Sequence, residues 1–441
     1  MQTYFNELAD HVGQSLQKDE VFLARYHAED SDFVRFNHGQ VRQAGSVTQT
    51  SLELELVDGA RHASVSLGLT GDRAADEQLL DRWIVRLRER LPHVPEDPFL
   101  LFATDAPSTE HVGANELRDA SGDAIETIQR AAEGRDLVGV YASGLVASGF
   151  ASSLGQRNWY QTHSHNFDWS FYHAADKAVK SAYAGFRWDE DAFRAKVERA
   201  SDELAALARA PVTVPPGAYR VYLSPAAVYD IVGMLSWGGF GLKSHRTKQT
   251  PLLRLLEGEA SFSDRLTLRE NTREGIAPNF QGDGFLRPDE VVLIESGEYR
   301  SCLVSPRSAK EYGVPTNGAG AEESPESIDL GAGDLPIQDA LATLGDGVYV
   351  GNVHYLNYSD RTACRTTGMT RFATFLVEGG ELSAPLNVMR FDETLYRVLG
   401  ENLVALTAER EMILDPGTYF ERSTESGRVP GAIVEDFTFT L

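Results

Sequence analysis

Three histidines close together, His163, His165 and His173, raise the question of a metal centre. A His-x-His pair in a strand turns both rings to one face, a frequent ligand arrangement, and Asp168 could add an oxygen. No partner motif at ligand spacing follows, so the plainer reading is histidines hydrogen-bonded among Trp159, Tyr160, Phe167, Trp169, Phe171 and Tyr172. Cys364 and His354 suggest a thiol nucleophile and its base, because a nearby imidazole lowers a thiol pKa. The competing reading is a buried structural cysteine, and Cys302, within the apolar-flanked run Tyr299 to Val304, reads as core. Trp237-Gly-Gly-Phe-Gly-Leu-Lys-Ser244 sets glycines before a Lys-Ser pair, but a phosphate loop needs glycine directly before the lysine, where Leu242 stands. No G-x-S-x-G elbow is present. The run Lys243-Ser-His-Arg-Thr-Lys248 offers Lys243, His245, Arg246 and Lys248 to a substrate carboxylate or a partner's acidic surface, or else is a solvated loop.

The elements that must position these residues follow from periodicity. Tyr4, Phe5, Leu8, Val12 and Leu16 recur at helical spacing over residues 1–17. Over Ser51 to Val57, Leu52, Leu54 and Leu56 face one way while Glu53 and Glu55 face solvent, as a half-solvated antiparallel strand requires, and Asp58-Gly59 supplies the hairpin turn. Helices are predicted over Asp72 to Glu89, Asn115 to Ala132 and Asp189 to Ala208, with strands from Leu137 and an aromatic strand under a helix at Asn158 to His173. Ala210-Pro-Val-Thr-Val-Pro-Pro-Gly217 breaks any regular element and divides the chain into residues 1–210 and 218–441. Beyond it a strand at Tyr219 to Leu223 and a short helix from Ser224 precede mostly strands and turns, with Ser324 to Asp334 expected as a surface loop. The fold class is α+β: an N-terminal antiparallel sheet with helices and a largely β C-terminal part.

A chain of 441 residues, 42% hydrophobic, can bury at least one sizeable core, and two domains are the expectation. Two cysteines leave no disulfide framework, no apolar run near Met1 has signal-peptide form, and no stretch reaches membrane-spanning length; a cytoplasmic protein is expected. The 65 acidic against 41 basic residues give a formal charge of −24, whose field repels phosphate backbones, so nucleic acid is not an expected partner.

Several segments together resemble the TldD/PmbA family of bacterial and archaeal metallopeptidases and their partner subunits. Phe33-Val-Arg-Phe-Asn-His-Gly39-Gln-Val41, leading to a hairpin that ends Val57-Asp-Gly-Ala-Arg61, is similar to the family's opening sheet. Gly282-Asp-Gly284 followed by Val292-Leu-Ile-Glu-Ser-Gly297 resembles its turn and LIE-x-G hairpin. Ser308 to Gly318 falls at its next motif, and Arg371 to Glu381, closing on Pro385, is similar to its last strand pair.

Catalytic members of that family carry a His-Glu-x-x-x-His helix and a cysteine in a C-terminal Gly-x-Cys turn, which together hold zinc, the glutamate serving as general base. On this chain those positions fall on Tyr229, Asp230 and Met234, and Ile413 to Phe420 contains no cysteine. Tyrosine is a rare zinc ligand, methionine a weak one, and aspartate is shorter than the base it replaces. The resemblance therefore implies the TldE-like (PmbA-type) branch: no cofactor bound by this chain, zinc on a TldD-like partner in a heterodimer, and a peptide substrate. A homodimer of this chain acting as a binding or scaffold protein is the alternative, as is an independent hydrolase using the histidines. A role in modulating DNA gyrase, often attached to the family name, gains no support from a charge of −24.

Overall fold

The computed structural model spans residues 1–441 and describes all of them except 18, 106, 118–120 and 175–176. Helix α1 (Gln2–Gln14) buries Phe5, Leu8, Ala9 and Val12, the apolar stripe expected of it. The first sheet comprises β1 (Glu20–Asn37), β2 (Gln40–Asp58), β3 (Arg61–Gly68), β4 (Glu110–Val112), β5 (Asp136–Ser152), β6 (Arg157–Ala174) and β7 (Lys177–Gly185). Its order is β3-β2-β1-β5-β6-β4, with β7 also on β6, and all pairings but the parallel β4–β6 are antiparallel. Leu52, Leu54 and Leu56 of β2 are at most 2% exposed, as the alternation requires. Glu55 departs from expectation: it is 6% exposed, because Arg25 and His62 cover it.

Helix α2 (Arg73–Arg90) begins where the Asp72 side chain accepts from Ala75 N, a local cap that sequence alone reveals. Helix α3 runs Ser121–Ala132, six residues later than the predicted start; of the predicted helix, 118–120 lie outside the described residues. Helix α4 (Glu190–Leu207), capped by Asp189, lies over the aromatic strand β6, where Phe193 meets Phe167, Trp169, Tyr183 and Trp188. Truncating such a ring to alanine costs about 3–5 kcal/mol.

The second sheet comprises β8 (Gly217–Leu223), β9 (Leu268–Glu270), β10 (Val291–Glu295), β11 (Glu298–Tyr299), β12 (Ser327–Leu330), β13 (Gly347–Asp360), β14 (Arg365–Glu378), β15 (Glu381–Pro385), β16 (Arg390–Thr394), β17 (Leu403–Leu414) and β18 (Ser426–Phe439). Strand β18 is its hub, pairing with β8, β12, β16 and β17. The LIE-x-G segment forms the expected hairpin, β10–β11, and Arg371 to Pro385 forms β14–β15. Ser324 to Asp334 is not the surface loop expected of its composition: β12 is buried throughout, Ile328 and Leu330 entering the core while Asp329 is neutralised by Arg410 at 2.7 Å. The acidic and small residues that suggest a loop flank a strand of four.

One apolar cluster runs through both sheets by way of α4. It joins Phe36, Phe167 and Trp169 to Phe193, Val197 and Leu207, and these to Tyr349, Phe375 and Ile433.

Candidate functional site

Ser224 starts helix α5 (Pro225–Gly233): its hydroxyl accepts from Ala227 N and donates to Gly351 O at 2.6 Å, fixing the helix to the sheet. Val228, Ile231, Val232 and Leu235 are 2% exposed or less and hold α5 on β18 and β13. Tyr229 seats its ring on Gly427 of β18, where a Cβ would fall 2.3 Å from it. Burial, and then the carboxylates Glu425, Asp415 and Asp230, push the phenol above its ordinary pKa. Asp230 is also raised by burial, to about 6, against the opposing charge of Lys180. Lys180 in turn pairs with Asp168 at 3.1 Å.

Asp415 and Glu425 belong to the segment between β17 and β18, so the helix and the C-terminal turn, some two hundred residues apart, converge. The donors at these positions do not fit a zinc ion. Tyr229 is kept protonated, Asp230 is one half-buried carboxyl, and Met234 is 3% exposed within the apolar core. Among the described residues no three His, Cys, Asp or Glu side chains gather where they could hold a metal.

The other sequence candidates are scattered. His163 and His165 do share a face of β6, but His165 is fully buried, donates from Nε2 to Arg187 O at 3.0 Å, and lies among Tyr141, Tyr183 and Trp188. Burial lowers its pKa to about 4, so it is a neutral core imidazole near neutral pH. His163 is half-buried, and His173 is exposed eight residues beyond His165, roughly 26 Å along an extended strand. Cys364 is fully buried, its thiol pushed up to about 12 by burial, whereas His354 is exposed and packs on Tyr355; they form no nucleophile and base. In the basic run, His245 donates from Nε2 to Gly239 O at 2.6 Å and the exposed Lys248 pairs with Glu257 at 2.8 Å, leaving Lys243 and Arg246 as exposed charges with no ion pair among the described residues. The run is tied to the centre of the molecule by Lys243 N, which donates to Glu323.

Beside the α5 site, a cleft of about 460 Å³ opens between the first sheet and the loops of the second, and Glu323, Arg422 and Ser423 line it. Arg422 and Ser423 also line the recess that holds Asp168 and Asp415, so cleft and degenerate motif adjoin. Arg422 is 6% exposed and donates to Ser164 Oγ at 2.7 Å and Gly144 O at 3.3 Å, pinning the C-terminal turn to the first sheet. Arg25 of β1 is the second clasp: it donates to Gly282 O at 2.6 Å, Glu55 at 2.6 Å and Asp283 at 3.3 Å. The Gly282-Asp-Gly284 motif thus docks on the first sheet, where Gly284 adopts φ +85° and a Cβ would fall 2.7 Å from both Phe150 and Gln156. These arginines are not legible as site residues, because the partners that join the two sheets lie more than two hundred positions away and an isolated arginine carries no spacing signal.

The family model described as the PmbA/TldA metallopeptidase C-terminal domain matches residues 216–441. No curated protein matches the sequence. Among solved structures, TldE from Thermococcus kodakarensis superposes with a TM-score of 0.81 at 15% identity, covering 99% of this chain and 100% of that one. A candidate modulator of a DNA gyrase from Thermotoga maritima gives 0.78 at 13% identity, with 99% and 100% covered. A similarly described protein from Bacteroides thetaiotaomicron gives 0.71 at 17%, with 99% and 98% covered. The fold is thus that of these proteins, and with its second half matched by the family's own domain model the chain belongs to the TldD/PmbA family.

Proposed function

We propose that this chain is the TldE-like subunit of a two-component peptidase for short or unfolded peptides, in which a TldD-like partner carries the zinc. The observation that carries this reading is the convergence of α5 with the C-terminal turn on a donor set of Tyr229, Asp230 and Met234, set in a frame otherwise typical of the family. The cleft beside it has a volume in the range of small-molecule and peptide sites. In this reading the subunit shapes the chamber and holds peptide while the partner cuts, in the cytoplasm, and its two units divide at residues 210–217. Among the described residues no helix is long and apolar enough to cross a membrane, which suits that location.

The test is elemental analysis of the purified chain, followed by co-purification with a TldD-like protein from the same genome and a peptidase assay of each alone and of the mixture. Activity confined to the mixture, with no stoichiometric zinc on this chain, supports the proposal. Zinc bound by this chain alone overturns it, as does a stable homodimer that ignores the partner.

A further inference from the structure

The cleft holds a donor that the fold uses only in part, Glu326 and Glu270 facing its charge. Arg287 lines it, and its side chain is only 9% exposed. Its Nη2 donates to Glu326, but Nε and Nη1 are buried with no hydrogen-bond partner among the described residues. Leaving guanidinium N–H groups dry and unpaired is unfavourable, so they call for an acceptor, whether water, an ion or a ligand. Phe150 and Phe280, packed together from the two sides of the cleft, supply an apolar wall.

The rim has the opposite sign. Glu322, Glu421 and Glu425 are exposed there and form no ion pair among the described residues. Glu425 is raised by burial and by the nearby carboxylates of Asp415 and Glu326, so this edge favours a cation. A deep cationic donor, an apolar wall and an uncompensated acidic rim together describe a ligand with an anion at one end, a hydrophobic side chain and an ammonium at the other.

The geometry points to a binding site for a short peptide with free termini, its carboxylate on Arg287, an apolar side chain against Phe150 and Phe280, and its amine at the acidic rim. This rests on the peptide reading above and adds a recognition site on this subunit itself, apart from any zinc. It treats Arg287 as a binding residue, since no bond is made or broken there.

Isothermal titration of the full chain with the tripeptide Ala-Ala-Phe, its C-terminal amide and its N-acetyl form tests this. The free peptide is expected to bind, the amide about tenfold or more weaker, as loss of charge-assisted hydrogen bonds implies, and the acetyl form a few-fold weaker. Arg287→Gln should erase the difference between free peptide and amide, while Arg287→Lys, which keeps a charge beside Glu326, should retain part of it. Urea melts of both variants show whether they fold; if Arg287→Gln does not, the Lys variant and the ligand series decide. Equal binding of acid and amide, or no binding of any peptide, overturns the assignment. An amide carrying an internal Asp that binds as the free peptide does keeps the carboxylate and Arg287 but moves its source from terminus to side chain. Because binding is read on this chain alone, peptidase activity in the mixture without cleft binding would sink this inference and leave the proposed function standing; the converse result would do the reverse.

Discussion

Glu203 of α4 lies 8% exposed between the two sheets, accepting a 2.6 Å hydrogen bond from Tyr349. Burial raises its pKa from 4.5 to about 7, with Glu411 and Asp202 adding to the shift and Arg199 and Tyr349 opposing it. Below about pH 4.5 the carboxyl is neutral whether the chain is folded or not. Between there and about pH 7 the unfolded chain loses the proton and the folded one keeps it, so stability falls as pH rises; above that window the full deficit persists. The rise from 4.5 to about 7, at about 1.4 kcal/mol per pH unit, gives roughly 3–4 kcal/mol. Glu203→Gln cannot ionise and can still accept from Tyr349. It should therefore match the parent near pH 4.5 and exceed it by roughly 3–4 kcal/mol near pH 8, read by urea denaturation at both values. A difference between variant and parent that does not change with pH would refute the reasoning, since only the proton distinguishes the two conditions.

Arg25→Met removes the guanidinium that Glu55, Asp283 and Gly282 O share, leaving the buried Glu55 carboxylate with only His62; a loss of about 3 kcal/mol is expected in urea melts, with faster proteolysis around 278–287. Gly284→Ala meets both a positive φ and the Phe150 ring, and should lower stability by about 2 kcal/mol or more, measured as a drop in Tm; an unchanged Tm would mean the motif turn relaxes freely. Tyr229→His with Met234→His rebuilds the family's two helix ligands in name only. Met234 is in the core, so the double variant should lose stability and take up no stoichiometric zinc by elemental analysis.

Local elements were legible because their causes are local. Asp72, Asp189 and Ser224 cap the helices that follow them, and the alternation of Leu52, Leu54 and Leu56 fixed which face of β2 is buried. Errors arose where tertiary pairing overrode composition. Glu55 is buried because Arg25 reaches it from β1, and β12 hides in an acidic stretch because β9 and β18 flank it. Asn115 is a cap-type residue, yet its Oδ1 accepts from Leu117 N in a local turn, and α3 starts only at Ser121. Strand spacing puts His163 and His165 on one face, but it cannot say that Tyr141, Tyr183 and Trp188 enclose His165. The motif positions on α5 became informative only within the family frame, and the arginine clasps could be found only in three dimensions.

The place of β18 has a consequence for biosynthesis. Residues 426–439 are among the last of this sequence to be made, yet four other strands hydrogen-bond to them, beginning with β8 some two hundred residues earlier. Until that strand leaves the ribosome the second sheet lacks its spine, although β14 and β15, the strands of that sheet on which α4 packs, precede it. The C-terminal half must therefore wait, partly assembled, while the first sheet can close behind it. Losing even the last dozen or so of these residues would then remove not an edge but a centre.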